Sequence, residues 1–122
     1  KAFFILELDE KLVGLAGWQV ENLVTRVIDL YIAPELTPED ALKALVEEIE
    51  TASKSLQSEA SLLFLKGDIA KSEALWKTLG YEKRTPESLG VQAWKDAATE
   101  KLHAETTLFF KQLRIDRVLR PI

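Results

Sequence analysis

Asp29 is the residue in this chain most suited to proton transfer. It interrupts the apolar run Val27-Ile28-Asp29-Leu30, so a half-buried carboxylate able to take a proton from an amine is expected there. Pairing with a nearby cation such as Arg26 accounts equally well for an acid on a strand. The two phenols, Tyr31 and Tyr81, are the remaining acid candidates, although packing on a sheet is the commoner role for such residues. His103, the sole histidine, falls near the end of a helical stretch, where a cationic side chain suits the helix dipole. Cysteine is absent, which excludes disulfides, thiolate metal sites and a cysteine nucleophile. No metal site is expected.

These residues need a scaffold, and 122 residues suffice for one domain, 1–122, with one sizeable core. Apolar residues make up 47% and charged residues 30%, a globular composition rather than a disordered one. The longest apolar run, Leu12 to Trp18, is far short of the roughly 20 residues that cross a bilayer, and a cytoplasmic protein is expected. With 16 basic against 20 acidic residues the net charge of −4 disfavours nucleic acid as a partner. The chain opens on Lys1 and contains no methionine, so it is expected to be a trimmed product.

Ala2 to Leu8 and Leu12 to Val20 read as a hairpin around Asp9-Glu10-Lys11. A third strand, Leu23 to Ile32, sets Thr25, Val27, Asp29 and Tyr31 on one face against Val24, Arg26, Ile28, Leu30 and Ile32 on the other. Thr37-Pro38-Glu39-Asp40 is a strong helix start, and Leu42, Leu45, Val46, Ile49 and Ala52 follow at helical spacing. The continuous apolar run Leu62-Leu63-Phe64-Leu65 predicts a central strand. A helix is expected from about Ala70 to Leu79, stopped by Gly80, then a strand at Tyr81, a helix from Pro86 to about His103 and a last strand near Thr106 to Leu113. Residues 114–122 form a basic and aliphatic tail, in which Arg114, Arg117 and Arg120 continue a spacing of three from Lys111.

Leu12-Val13-Gly14-Leu15-Ala16-Gly17, Val27 to Glu35 and Ala74-Leu75-Trp76-Lys77-Thr78-Leu79-Gly80-Tyr81 together, in this order, resemble the core of the GNAT superfamily of acyl-CoA-dependent N-acetyltransferases. The resemblance runs from about Ala2 to Lys83 and implies an α/β fold: a mixed, mostly antiparallel GNAT-like sheet, order β-β-β-α-β-α-β-α-β, with helices on both faces. A β-α-α part that precedes this core in the family is expected to be missing. The resemblance also implies transfer of an acetyl group from acetyl-CoA to a small-molecule or protein amine. Asp29 would assist deprotonation, and Tyr81, in the third of these segments, and Tyr31 are the only phenols left to act as the acid. The backbone at Leu30, Tyr31 and Ile32 would align the pantetheine arm like an added strand, the helix start at Thr37, Glu39, Asp40, Ala41 and Leu42 would meet the pyrophosphate, and Trp76 would also contact the cofactor.

Two departures from the family pattern temper that activity. The pyrophosphate turn of the family is rich in glycine and carries Arg or Gln, whereas here Pro38 has no N–H to donate and Glu35, Glu39 and Asp40 are acidic. At an effective dielectric near 20, one like-charge pair about 5 Å apart opposes binding by about 3 kcal/mol before screening. Trp76 stands where many members carry the tyrosine that protonates the leaving thiolate, and an indole N–H is no usable acid near neutral pH. Acetyl transfer is therefore expected to be weak or lost. The alternative is a non-catalytic interaction or regulatory module, homo-oligomeric or partner-bound through the Trp94 helix and the tail. Trp94 otherwise caps the core, as Trp18 is expected to fill it.

Overall fold

The computed structural model describes residues 1–33 and 38–114, the side chain of Pro38 excepted. Six strands form one sheet in the order β1-β2-β3-β4-β6-β5. Its members are β1 (Ala2–Leu8), β2 (Lys11–Glu21), β3 (Val24–Ile32), β4 (Ala60–Leu65), β5 (Glu82–Lys83) and β6 (Thr107–Gln112). All neighbouring strands run antiparallel except β3 and β4. Four helices connect them: α1 (Pro38–Ser55), α2 (Gly67–Lys71), α3 (Glu73–Thr78) and α4 (Gln92–Lys101). The mixed, mostly antiparallel sheet with helices on both faces agrees with the expected fold class.

Period-two alternation in β4 feeds two cores. Leu63 and Leu65 join Ala16, Trp18 and Val27 beneath Leu42, Leu45, Val46 and Ile49 of α1 and Trp76 of α3. Ala60, Leu62 and Phe64 face the other way and meet Leu108, Phe110, Trp94 and Ala98. Every residue of β4 is buried, as its unbroken apolar run predicts. Trp18 stacks on Phe4 at 5.5 Å and Trp94 packs on Phe110 at 5.3 Å, so Trp94 caps a core rather than presenting a partner surface. The basic tail beyond Arg114 lies outside the described residues.

Three boundaries differ from expectation for local reasons. The helix expected from Ala70 to Leu79 starts earlier, at Gly67, and is broken at Ser72 into α2 and α3. Its end at Gly80 is as expected: Gly80 has φ 92, and the Tyr81 N–H reaches the Trp76 carbonyl at 2.8 Å. The Thr85-Pro86 start yields only a 3-10 turn, Pro86–Ser88, because Gly90 at φ 55 turns the chain before α4 begins at Gln92. His103 consequently lies past α4, in a turn where Thr106 Oγ1 accepts its N–H.

The third strand holds the largest correction. Trp18 pairs with Val27 but Gly17 pairs with Asp29, which leaves Ile28 as an extra residue, a β-bulge. The bulge reverses the inward face halfway along the strand. Thr25 and Val27 face α1, as do Leu30 and Ile32, while Arg26, Asp29 and Tyr31 look away from it.

Candidate functional site

A fork opens in the sheet beside the bulge. β3 and β4 are bridged only from Val24↔Ala60 to Val27↔Leu63. Beyond Val27, β3 continues to Ile32 held by β2 alone. The Ala33 N–H donates to the Val13 carbonyl at 2.8 Å. Alternation from that bond turns the N–H and C=O of Ile32 and Leu30 toward the open side, where β4 offers no partner. Between the diverging strands lies a cleft of about 240 Å³, with Ile28 to Tyr31 on one wall and Phe64, Leu65, Lys66 and Ile69 on the other.

Asp29, Leu30 and Tyr31 thus meet at one cleft, with Ile32 next along the same strand. Asp29 is exposed where partial burial is expected, and its carboxylate is ion-paired with the Lys1 ammonium rather than with Arg26. Arg26 is buried and committed instead to Glu100 at 3.0 Å and Glu21 at 3.2 Å. Leu30 and Ile32 are half-buried and Tyr31 is exposed.

Trp76 does not line the cleft but braces it. Fully buried, it donates its indole N–H to the Ile69 carbonyl at 2.8 Å, which ties α3 to the short α2 that forms part of the cleft wall. Tyr81 has a different setting from the one its candidacy as an acid requires. Within a buried network its hydroxyl donates to Glu50 Oε2 at 3.0 Å and accepts from the Ser61 hydroxyl at 2.8 Å, and it is not among the residues at the fork. Burial, reinforced by the Glu50 carboxylate and opposed by the Ser61 hydrogen bond, pushes the Tyr81 phenol well above its ordinary value. A phenol so placed stays protonated and supports the core. Lys111 completes the network, donating to Glu50 Oε1 at 2.8 Å.

At the start of α1, Ala41 and Leu42 are buried, whereas Glu39 and Asp40 are exposed. Thr37 lies outside the described residues, as do Pro34 to Leu36. Glu39 and Asp40 share a surface groove with Lys43, Leu75 and Leu79, so the acidic entrance has one ammonium beside it. Lys43, Lys66 and Ile69 are site residues that sequence reasoning passed over. Lys66 had a signal, since it directly follows the central strand, and residues at strand carboxyl ends line crevices in α/β sheets.

No protein-family model and no curated protein matches the chain. Solved structures do. The PaiA N-acetyltransferase from Thermoplasma acidophilum, in complex with coenzyme A, aligns over 90% of this chain and 59% of its own, with a TM-score of 0.66 and 15% identity. A GNAT-family acetyltransferase from Staphylococcus aureus Mu50 aligns with a TM-score of 0.71 and 12% identity, covering 92% of this chain and 68% of its own. The ribosomal-protein-S18-alanine N-acetyltransferase from Escherichia coli reaches 0.67 at 14% identity, over 94% and 70%. These likenesses are of fold, and the chain has the GNAT fold. It spans about three fifths of the first of these relatives.

Proposed function

We propose that this chain is an acyl-CoA-dependent N-acyltransferase domain whose reaction centre is the fork between β3 and β4. The observation that carries the reading is the row of Leu30 and Ile32 backbone groups that β4 leaves without a ladder partner among the described residues, along an open cleft. Such an edge accepts an extended ligand by strand addition, and the amide-bearing pantetheine arm of coenzyme A has matching donors and acceptors. An acyl-CoA bound there would supply an activated thioester carbonyl. Leu30 and Ile32 would hold and align the arm, and Asp29 at the cleft wall would receive the proton that an acceptor ammonium must lose. An acceptor of the primary amine class suits an exposed carboxylate.

The groove at the α1 entrance fits the pyrophosphate less well. Two carboxylates outnumber the Lys43 ammonium, and both are exposed enough for salt to screen them, so affinity is reduced rather than abolished. Calorimetric titration with acetyl-CoA tests the reading: binding is expected, and the Glu39→Gln/Asp40→Asn variant is expected to bind about tenfold more tightly, a gain that shrinks at high salt. No heat of binding at millimolar acetyl-CoA, in parent and variant alike, refutes it.

That same acidic entrance favours the second reading, a non-catalytic module that keeps the fold without the cofactor. A partner captured equally well by the Asp29→Asn protein and by its parent, with no acetyl-CoA binding, would decide for it.

A further inference from the structure

The Asp29 carboxylate is already occupied by an amine from this chain itself. Lys1 Nζ is ion-paired with Asp29 and sits 5.3 Å from the centre of the Phe3 ring, within cation-π range. Beneath it is Gly17, directly across the β1–β2 ladder from Phe3 and across the β2–β3 ladder from Asp29. A Cβ on Gly17 would lie 2.8 Å from Phe3 Cε1, 2.9 Å from Asp29 Oδ2 and 3.1 Å from Lys1 Cε. The missing side chain is the space in which the ammonium and its last methylene rest. Asp29 also lines the fork, so this cradle adjoins the cleft.

We infer that Phe3, Gly17 and Asp29 form an ammonium subsite for a primary amine on an unbranched alkyl stem, such as a lysine side chain, and that Lys1 is its tethered occupant. Each part selects one property of the ligand. Asp29 requires positive charge, the Phe3 face rewards a cation that is only partly desolvated, and the bare backbone at Gly17 admits a slim methylene where a branched stem would collide. The tether is loose. The two side chains are 38% and 50% exposed, and ion pairs so exposed hold weakly, so an external amine can displace Lys1. Lys1 therefore acts as a built-in competitor. The inference rests on the proposed transfer function only in calling the bound amine an acceptor, since the subsite is defined without acetyl-CoA.

Nuclear magnetic resonance titration of the full chain with Nα-acetyl-lysine N-methylamide, without acetyl-CoA, tests it. Saturable shifts of the Gly17 and Asp29 amide signals are expected. Lys1→Met, which keeps the stem and removes the charge, is expected to tighten binding about two- to five-fold, the range in which an exposed ion pair operates. Lys1→Met/Asp29→Asn and Lys1→Met/Gly17→Ala are each expected to lose the response, and the uncharged norleucine analogue to give none in any variant. The inference is overturned if Lys1→Met shows no saturable shift at Gly17 and Asp29, or if the shift survives Asp29→Asn. Failure of acetyl-CoA to bind in the separate calorimetric titration would remove the transfer reading and leave this result interpretable.

Discussion

Lys111→Met should destabilise the fold by about 2–3 kcal/mol. The Lys111 ammonium donates to Glu50 Oε1 at 2.8 Å and to the Leu79 carbonyl at 3.0 Å, while Glu50 Oε2 accepts from the Tyr81 hydroxyl. Methionine preserves the stem that packs beside Gly80 and removes only the charged head. Removing one member of a fully buried pair costs about 3–5 kcal/mol, because the other charge is stranded. Glu50 is 10% exposed but Lys111 is 28% exposed, so water reaches the vacated position and the lower figure applies. For a domain of this length the loss corresponds to about 10 °C in Tm. Glu50→Leu/Lys111→Met removes both charges and should recover at least 1 kcal/mol relative to the sum of the single changes. Urea titration followed by tryptophan fluorescence suits the measurement, since Trp76 packs edge-on to Tyr81 at 6.1 Å. A Lys111→Met protein within about 0.5 kcal/mol of its parent, or a double variant showing simple additivity, would refute the view that these groups act as one unit.

The Tyr81 phenol is raised in the folded state, so its contribution is complete below the unfolded value near 10 and is lost as pH climbs from there toward the folded value. In a Tyr31→Phe background, phenolate absorbance at 295 nm should thus appear only as the protein unfolds; ionisation with the fold intact would contradict this. Gln57 ends α1 in the left-handed region at φ 65, and the Ser58 N–H bonds back to the Ser53 carbonyl at 2.9 Å, so Gln57→Gly should stabilise by about 1 kcal/mol in denaturant melts. Trp76→Phe removes the bond to the Ile69 carbonyl from a fully buried site, and a loss of about 1–3 kcal/mol with faster hydrogen exchange in α2 is expected. Asp29→Asn should change stability by less than about 0.5 kcal/mol yet lower any acetyl transfer about a hundredfold or more, as steady-state assays with an amine acceptor would reveal.

Most of the scaffold was legible because its signals are local. Pro38 with its following acids marks α1, and the apolar stripe Leu42, Leu45, Val46 and Ile49 is buried as its spacing requires. The unbroken run in β4 gave away a strand covered on both faces. What escaped notice has no compositional mark. The hairpin turn at Asp9-Glu10 falls where it is expected, but its positive φ, like that of Asn22-Leu23 and of Gln57, is held without glycine. The bulge at Ile28 comes from the pairing of two strands, which no single-strand pattern encodes. Within the candidate site, sequence reasoning named Asp29, Leu30 and Tyr31 but not the exposed pairing of the carboxylate with Lys1. It missed the wall across the cleft, Lys66 and Ile69, because the fork exists only where two distant segments diverge.

The extra residue at Ile28 makes the parity of β3 a built-in property of the molecule. Excising that one position would straighten the ladder and keep every face, with Val27 still opposite Trp18 and Asp29 opposite Gly17, whereas pairing Ile28 in regular register would turn Leu30 and Ile32 out to water and drive Asp29 and Tyr31 under α1. Any shortened, grafted or recombined version of this strand must therefore either keep both Ile28 and Asp29 positions between Val27 and Leu30 with one of them bulged, or drop the bulged position altogether, even if every neighbouring side chain is exchanged.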